Sequence, residues 1–117
     1  MRSAEIISVP VTDPQRSKEF YLKMGLSLVI ESPMGENQTW IQLKFPDGGA
    51  DIALVNWFPN MPAGSLQGVV VLTDSIEDDR TRLTAVGITV GKTDDTPWGK
   101  FAPIADPDGN TWTLHQN

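Results

Sequence analysis

Asp106-Pro107-Asp108-Gly109-Asn110-Thr111-Trp112-Thr113-Leu114-His115, near the C-terminus, reads as a tight turn feeding a strand. Asp106 can accept backbone N–H bonds in an Asx turn, Pro107 presets φ at roughly −65°, and Gly109 supplies a left-handed position. Thr111 to Leu114 then alternate in a β-branched and aromatic run. By itself this is an ordinary hairpin signal. An earlier stretch, Pro46-Asp47-Gly48-Gly49-Ala50-Asp51-Ile52-Ala53-Leu54, repeats the turn chemistry and the apolar strand after it. The chain therefore reads as two copies of one module.

The rest of the chain carries the same repeat. Ala4 to Val11 predicts a strand with Ile7, Val9 and Val11 on one face and Ile6 and Ser8 on the other. Asp13 is placed to cap a helix over 14–24, with Pro14 at its first position, Phe20, Tyr21 and Met24 on its apolar face and Gly25 at its end. Strands are expected over 26–31, 39–45 and 51–56, with Ser32 to Asn37 a polar loop. Asn56 to Leu66 lacks periodicity and reads as the connection, with Trp57 and Phe58 packed at its start. A strand over 68–73 follows. Asp74 or Ser75 then caps a helix near 75–86 whose buried side is Ile76, Leu83 and Val86 and which Gly87 ends. Ile88 to Gly91 is expected as a short strand, Thr93 to Gly99 as a loop and Lys100 to Ala105 as the strand entering the last turn. Thr12-Asp13 recurs as Thr73-Asp74, Gly25-Leu26 as Gly87-Ile88 and Pro46-Asp47-Gly48 as Pro107-Asp108-Gly109, about sixty-one residues apart throughout.

Composition narrows the function classes. At 117 residues, 39% apolar and 21% charged, the chain suits one small domain with a real core. No apolar run approaches a membrane span, and Met1-Arg2-Ser3-Ala4-Glu5 lacks the basic-then-apolar layout of a signal peptide. Zero cysteines exclude disulfides and thiolate ligands. Together these predict a cytoplasmic protein without a membrane partner, in which the Asn37-Gln38-Thr39 sequon is a coincidence. A formal charge of −6 argues against nucleic acid and leaves cationic or neutral small molecules open as partners.

Val9-x-Val11-Thr12-Asp13-x-x-Arg16-Ser17-x-x-Phe20-Tyr21, a Gly-Leu after the first helix and the closing Asp106-Pro107-Asp108-Gly109-Asn110 resemble the vicinal oxygen chelate superfamily. That superfamily includes glyoxalase I, extradiol dioxygenases, fosfomycin-resistance enzymes and bleomycin-resistance proteins. The resemblance implies an α+β fold of two βαβββ modules, about residues 1–60 and 61–117, forming a curled eight-stranded sheet around a shared cavity that is usually completed in a homodimer. Enzymes of the superfamily hold a divalent metal with four side chains, two from each module. Carried over singly, those positions fall on Ile6, on Gly68 (Gln67 with an offset of one), on Ala53 and on Thr113. None is a good divalent ligand, so neither a metal nor another cofactor is expected. The single histidine, His115, shares the strand face of Thr113 and is the one candidate catalytic group, equally readable as a half-exposed residue near a frayed terminus. Glu5 points to the opposite strand face, and Asp51 is expected in solvent beside its turn.

Strand parity then places Ile6, Ser8, Ala53, Val55, Gly68, Val70, Thr111, Thr113 and His115 on the inward face, a mostly apolar lining with a few hydroxyls. Trp40 and Trp98, on or beside loops at the cavity's edge, and Trp57, at the module junction, are expected to offer stacking surfaces. Simple packing is the alternative for each, and Trp112 is expected in the core beneath a helix. Asp78-Asp79 and Asp94-Asp95 diverge as neighbours in the chain and read as a helix N-terminus and a solvated loop, not as an acid/base dyad.

Three functions fit these residues. The leading one is a metal-free member of the bleomycin-resistance branch that binds a small apolar or aromatic molecule between aromatic walls, in a resistance or sequestration role. The second is an enzyme of lyase, isomerase or dioxygenase type, metal-free with His115 as general base or using an atypical metal. The third is an interaction module with a vestigial cavity.

Overall fold

The carboxylate of Asp13 accepts from the backbone N–H groups of Gln15 and Arg16, so the first helix starts where its cap predicts. In the computed structural model, which describes residues 1–117, the chain runs β1 (Ile6–Pro10), α1 (Pro14–Met24), β2 (Ser27–Pro33), β3 (Thr39–Lys44), β4 (Asp51–Val55), β5 (Val69–Leu72), α2 (Ile76–Ala85), β6 (Asp94–Thr96), β7 (Gly99–Ala105) and β8 (Thr111–Gln116). Ser75, not Asp74, caps α2, accepting from Asp78 N–H. Both helices close alike: Leu26 N–H reaches back to Tyr21 O at 3.0 Å and Ile88 N–H to Leu83 O at 2.9 Å, each across a glycine.

The two halves have one topology. The first sheet is ordered β1-β4-β3-β2 and the second β5-β8-β7-β6, each with one parallel pair among antiparallel ones. This is the expected α+β pair of βαβββ modules with eight strands, divided four and four. No helix is long and apolar enough to cross a membrane.

Alternation puts Val9, Ile41, Leu43, Ile52 and Leu54 of the first sheet, and Ala102, Ile104, Trp112 and Leu114 of the second, in one buried cluster with Tyr21, Met24, Ile76 and Leu83 of the helices. Trp112 is fully buried, edge-on to the rings of Tyr21 and Phe45 at 5.8 and 5.9 Å. An indole of that kind removes about 200 Å² from water, roughly 5 kcal/mol before the cost of ordering it. Since the helix-bearing sides of both sheets feed this shared core, the opposite face of each sheet is turned away from it.

Polar contacts hold the modules in register. Tyr21 Oη donates to Asp106 Oδ2 at 2.7 Å and accepts from Trp112 Nε1 at 2.9 Å, while Asn110 Nδ2 donates to Asp106 Oδ2 and to Pro10 O, both at 2.8 Å. Asp106 Oδ1 takes the backbone N–H groups of Asp108 and Asn110. Burial and the adjoining Asp106 carboxylate push the Tyr21 phenol far above its usual value of about 10. The folded protein therefore keeps this proton while the unfolded chain releases it near pH 10, so the stabilisation is complete below that pH and declines above it, by about 1.4 kcal/mol per pH unit. Because Tyr21 is the only tyrosine, the ultraviolet band of tyrosinate is expected to appear only as the protein unfolds in alkali. Tyr21→Phe is expected to flatten that pH dependence, and a tyrosinate band rising near pH 10 in folded protein would contradict the assignment.

Four local expectations are corrected. Ser32 and Pro33 pair with Trp40 and Thr39, so β2 continues through the anticipated loop. Ile88 to Gly91 makes only an isolated bridge at Val90: Gly91 N–H donates to Pro103 O, but Pro103 has no N–H to return, and the carbonyls of Val90 and Gly91 accept instead from Arg80 at 2.7 and 3.0 Å. Asp94 to Thr96 is a strand instead of a solvated loop, its hairpin closed by Thr96 Oγ1 donating to Gly99 O and accepting from Trp98 N–H. Val86 is exposed, since the glycine turn after it lays Ile88, not Val86, over the core.

Candidate functional site

The pairing registers define two surfaces. In the first sheet Ser8 lies beside Ala53 and Ala53 beside Gln42, so Ile6, Ser8, Ala53, Asp51, Trp40 and Gln42 share the face opposite the core. Ala53 is fully buried between its neighbours and Val55 nearly so, forming a small-residue floor. Beside it the aromatic rings run on: Trp40 to Trp57 at 6.4 Å and Trp57 to Phe58 at 6.0 Å, tilted by 38° and 43°. Trp40 Nε1 donates to Gln42 Oε1 at 3.0 Å, and Gln42 Nε2 donates to Asp51 Oδ2 at 2.7 Å. Asp51 is thus half-buried and hydrogen-bonded, not the solvated residue expected.

In the second sheet Val70 pairs with Thr113 and Thr113 with Pro103, while Leu72 pairs with His115 and His115 with Phe101. Thr111 lies on the same face beside Ala105, and Gly68 precedes the edge strand β5. His115 stacks flat on Phe101, with centroids 4.5 Å apart and planes 8° apart. Its Nε2 lies 3.1 Å from the carbonyl of Trp98, which can only accept, so that nitrogen is the donor of this contact. Trp98, on the β6–β7 hairpin, is 79% exposed.

The expected lining therefore falls into two groups. Ile6, Ser8, Ala53, Val55, Trp40 and Trp57 belong to the first module, and Gly68, Val70, Thr111, Thr113, His115 and Trp98 to the second. Within one chain neither surface covers the other. Of the expected lining, the two hollows of the single chain take in only Val70 and Thr111, one each. A groove of about 930 Å³ between the modules is lined by Ile7, Leu26, Phe45, Val71 and Arg82 among others, and one of about 620 Å³ by Phe20, Ile88, Pro103 and Thr111 among others. Gln42 and Phe101 were absent from the expected lining. Gln42 was legible by its alternation with Trp40, whereas Phe101 needed the β7–β8 register.

A divalent metal held by protein needs about three donor side chains. The four positions to which the resemblance carries the donors hold Ile6, Ala53, Gly68 and Thr113, and no three His, Asp or Glu side chains come together. These residues do not fit a metal. Adding nickel, zinc, iron or manganese is expected to leave the melting temperature unchanged. A site filled at a hundredfold over its dissociation constant would instead add about 2.7 kcal/mol, several degrees for this chain length.

The profile of the Glyoxalase/Bleomycin resistance protein/Dioxygenase superfamily matches residues 4–114. The crystal structure of TnmS3, an antibiotic binding protein from Streptomyces sp. CB03234, is 38% identical, covers 99% of this chain and 96% of its own, and superposes with a TM-score of 0.91. A glyoxalase/bleomycin resistance protein from the same Streptomyces strain is 39% identical over 97% of this chain and 100% of its own, with a TM-score of 0.86. The uncharacterized protein YetH of Bacillus subtilis (strain 168) is 28% identical over 115 residues, 94% of either chain.

Proposed function

Since this chain belongs to the glyoxalase/bleomycin resistance protein/dioxygenase superfamily, we propose that it is a metal-free binding protein that sequesters a small apolar or aromatic molecule in the cytoplasm. The observation that carries this reading is the Trp40–Trp57–Phe58 run beside a floor of Ser8 and Ala53 from which the metal donors are missing. Flat rings stack on indoles held this way, and an apolar floor without charged donors favours neutral or aromatic guests. The antibiotic-binding role of TnmS3, similar along nearly the whole chain, supports it.

A homodimer completes the site. Both lining surfaces face away from their own chain's core, β1 and β5 are end strands of their sheets, and Val70 and Leu72 on β5 are 56% and 69% exposed. A second copy covering these edges would set the Trp40 surface of one protomer against the His115 and Trp98 surface of its partner. Light scattering is expected to give twice the chain mass. On that dimer a planar aromatic ligand is expected to quench tryptophan fluorescence, with at least tenfold weaker binding in Trp40→Ala or Trp98→Ala variants that stay folded. A monomeric mass, or quenching untouched by either substitution, would overturn the shared-site reading.

A further inference from the structure

The tryptophan, amide and carboxylate on the first sheet form one chain of hydrogen bonds. An indole N–H can only donate and a carboxylate can only accept, so the Gln42 amide is oriented from both ends: Oε1 toward Trp40 at 3.0 Å, Nε2 toward Asp51 at 2.7 Å. The stacking plane and the charge are thereby held in fixed relation across the sheet face. Asp51 spends Oδ2 on Gln42 and its backbone N–H on Glu5 O at 2.9 Å, while Oδ1 bonds to nothing in the chain. A carboxylate oxygen in this half-buried position gains most from a donor brought by whatever occupies the face. Lys44, on the same strand face as Gln42, is exposed at the strand end and makes no ion pair.

Resting on the binding reading above, we propose that Asp51 is the specificity-determining anchor of the site, and that its ligands are aromatic molecules carrying a hydrogen-bond donor, a phenol or an amine. The ring lies against Trp40 while the donor reaches Asp51 Oδ1. Bare hydrocarbons lose the anchor, and aromatic anions meet an acceptor of their own charge.

The test uses three probes of one ring size, β-naphthol, its methyl ether and β-naphthoate, titrated against the full-length protein by tryptophan quenching. Wild type is expected to bind β-naphthol about tenfold or more tightly than the ether, as a hydrogen bond to a charged group predicts, and naphthoate more weakly than either. Asp51→Ala is expected to erase the preference for the naphthol, but it also frees Gln42 and Trp40. Asp51→Asn separates the two effects: its amide oxygen still accepts from Gln42, keeping Trp40 in place, while its N–H₂ replaces the free acceptor. Binding of the ether should then persist and the preference should fall to near unity. Equal binding of naphthol and ether by wild type, or an undiminished preference in Asp51→Asn, would overturn the anchor and leave the binding reading standing. No quenching of wild type by any probe would overturn both.

Discussion

Asp106→Ala is expected to destabilise the protein by about 3 kcal/mol or more, lowering the melting temperature by roughly 10 °C. The side chain is nearly buried and accepts four hydrogen bonds, from Tyr21 Oη, Asn110 Nδ2 and the backbone N–H groups of Asp108 and Asn110. Truncation strands those donors where water cannot readily replace the lost partner, and an orphaned buried polar group costs more than a surface bond returns. The damage also spreads across the module boundary, because Tyr21 and Pro10 belong to the first half and Asp106, Asn110 and Trp112 to the second. Asp106→Asn keeps an acceptor on one oxygen only and is expected to recover part of the loss. Chemical denaturation that found Asp106→Ala within 1 kcal/mol of wild type would show that the network does not join the modules.

Gly64→Ala is the second large effect, expected at about 3 kcal/mol, against about 1 kcal/mol for Gly48→Ala. Both glycines have positive φ, +82° and +90°, so an added Cβ strains the backbone at each. Only at Gly64 does it also collide, with the backbone carbonyl of Asp108, whereas nothing lies within 4 Å at Gly48. The connection between modules is thus a packed strap: Gly64 N–H bonds Pro10 O, Leu66 N–H bonds Asn110 Oδ1 and Thr111 N–H bonds Leu66 O. Equal costs at the two positions, measured by denaturant midpoint at constant slope, would return the strap to a loose linker.

The two helices, their caps, the repeated module order and the burial of Trp112 were legible in the chain, because caps, turns and alternation are local rules that act within a few residues. The reduction of Ile88 to Gly91 to a single bridge was not legible, since the Val90 and Gly91 carbonyls are taken by Arg80, a residue on another element. Nor was the stack of His115 on Phe101, which depends on the register between β7 and β8. Turn residues beside Asp51 in the chain point it to solvent, yet its partner is Gln42, supplied by the adjacent strand. By itself, then, the sequence determined the kinds of element, their order and their polarity. Tertiary structure alone decided that both helix-bearing faces would share one core, turning the two candidate binding surfaces outward, because that choice rests on contacts such as Tyr21 with Asp106 and Trp112, formed between residues more than eighty positions apart.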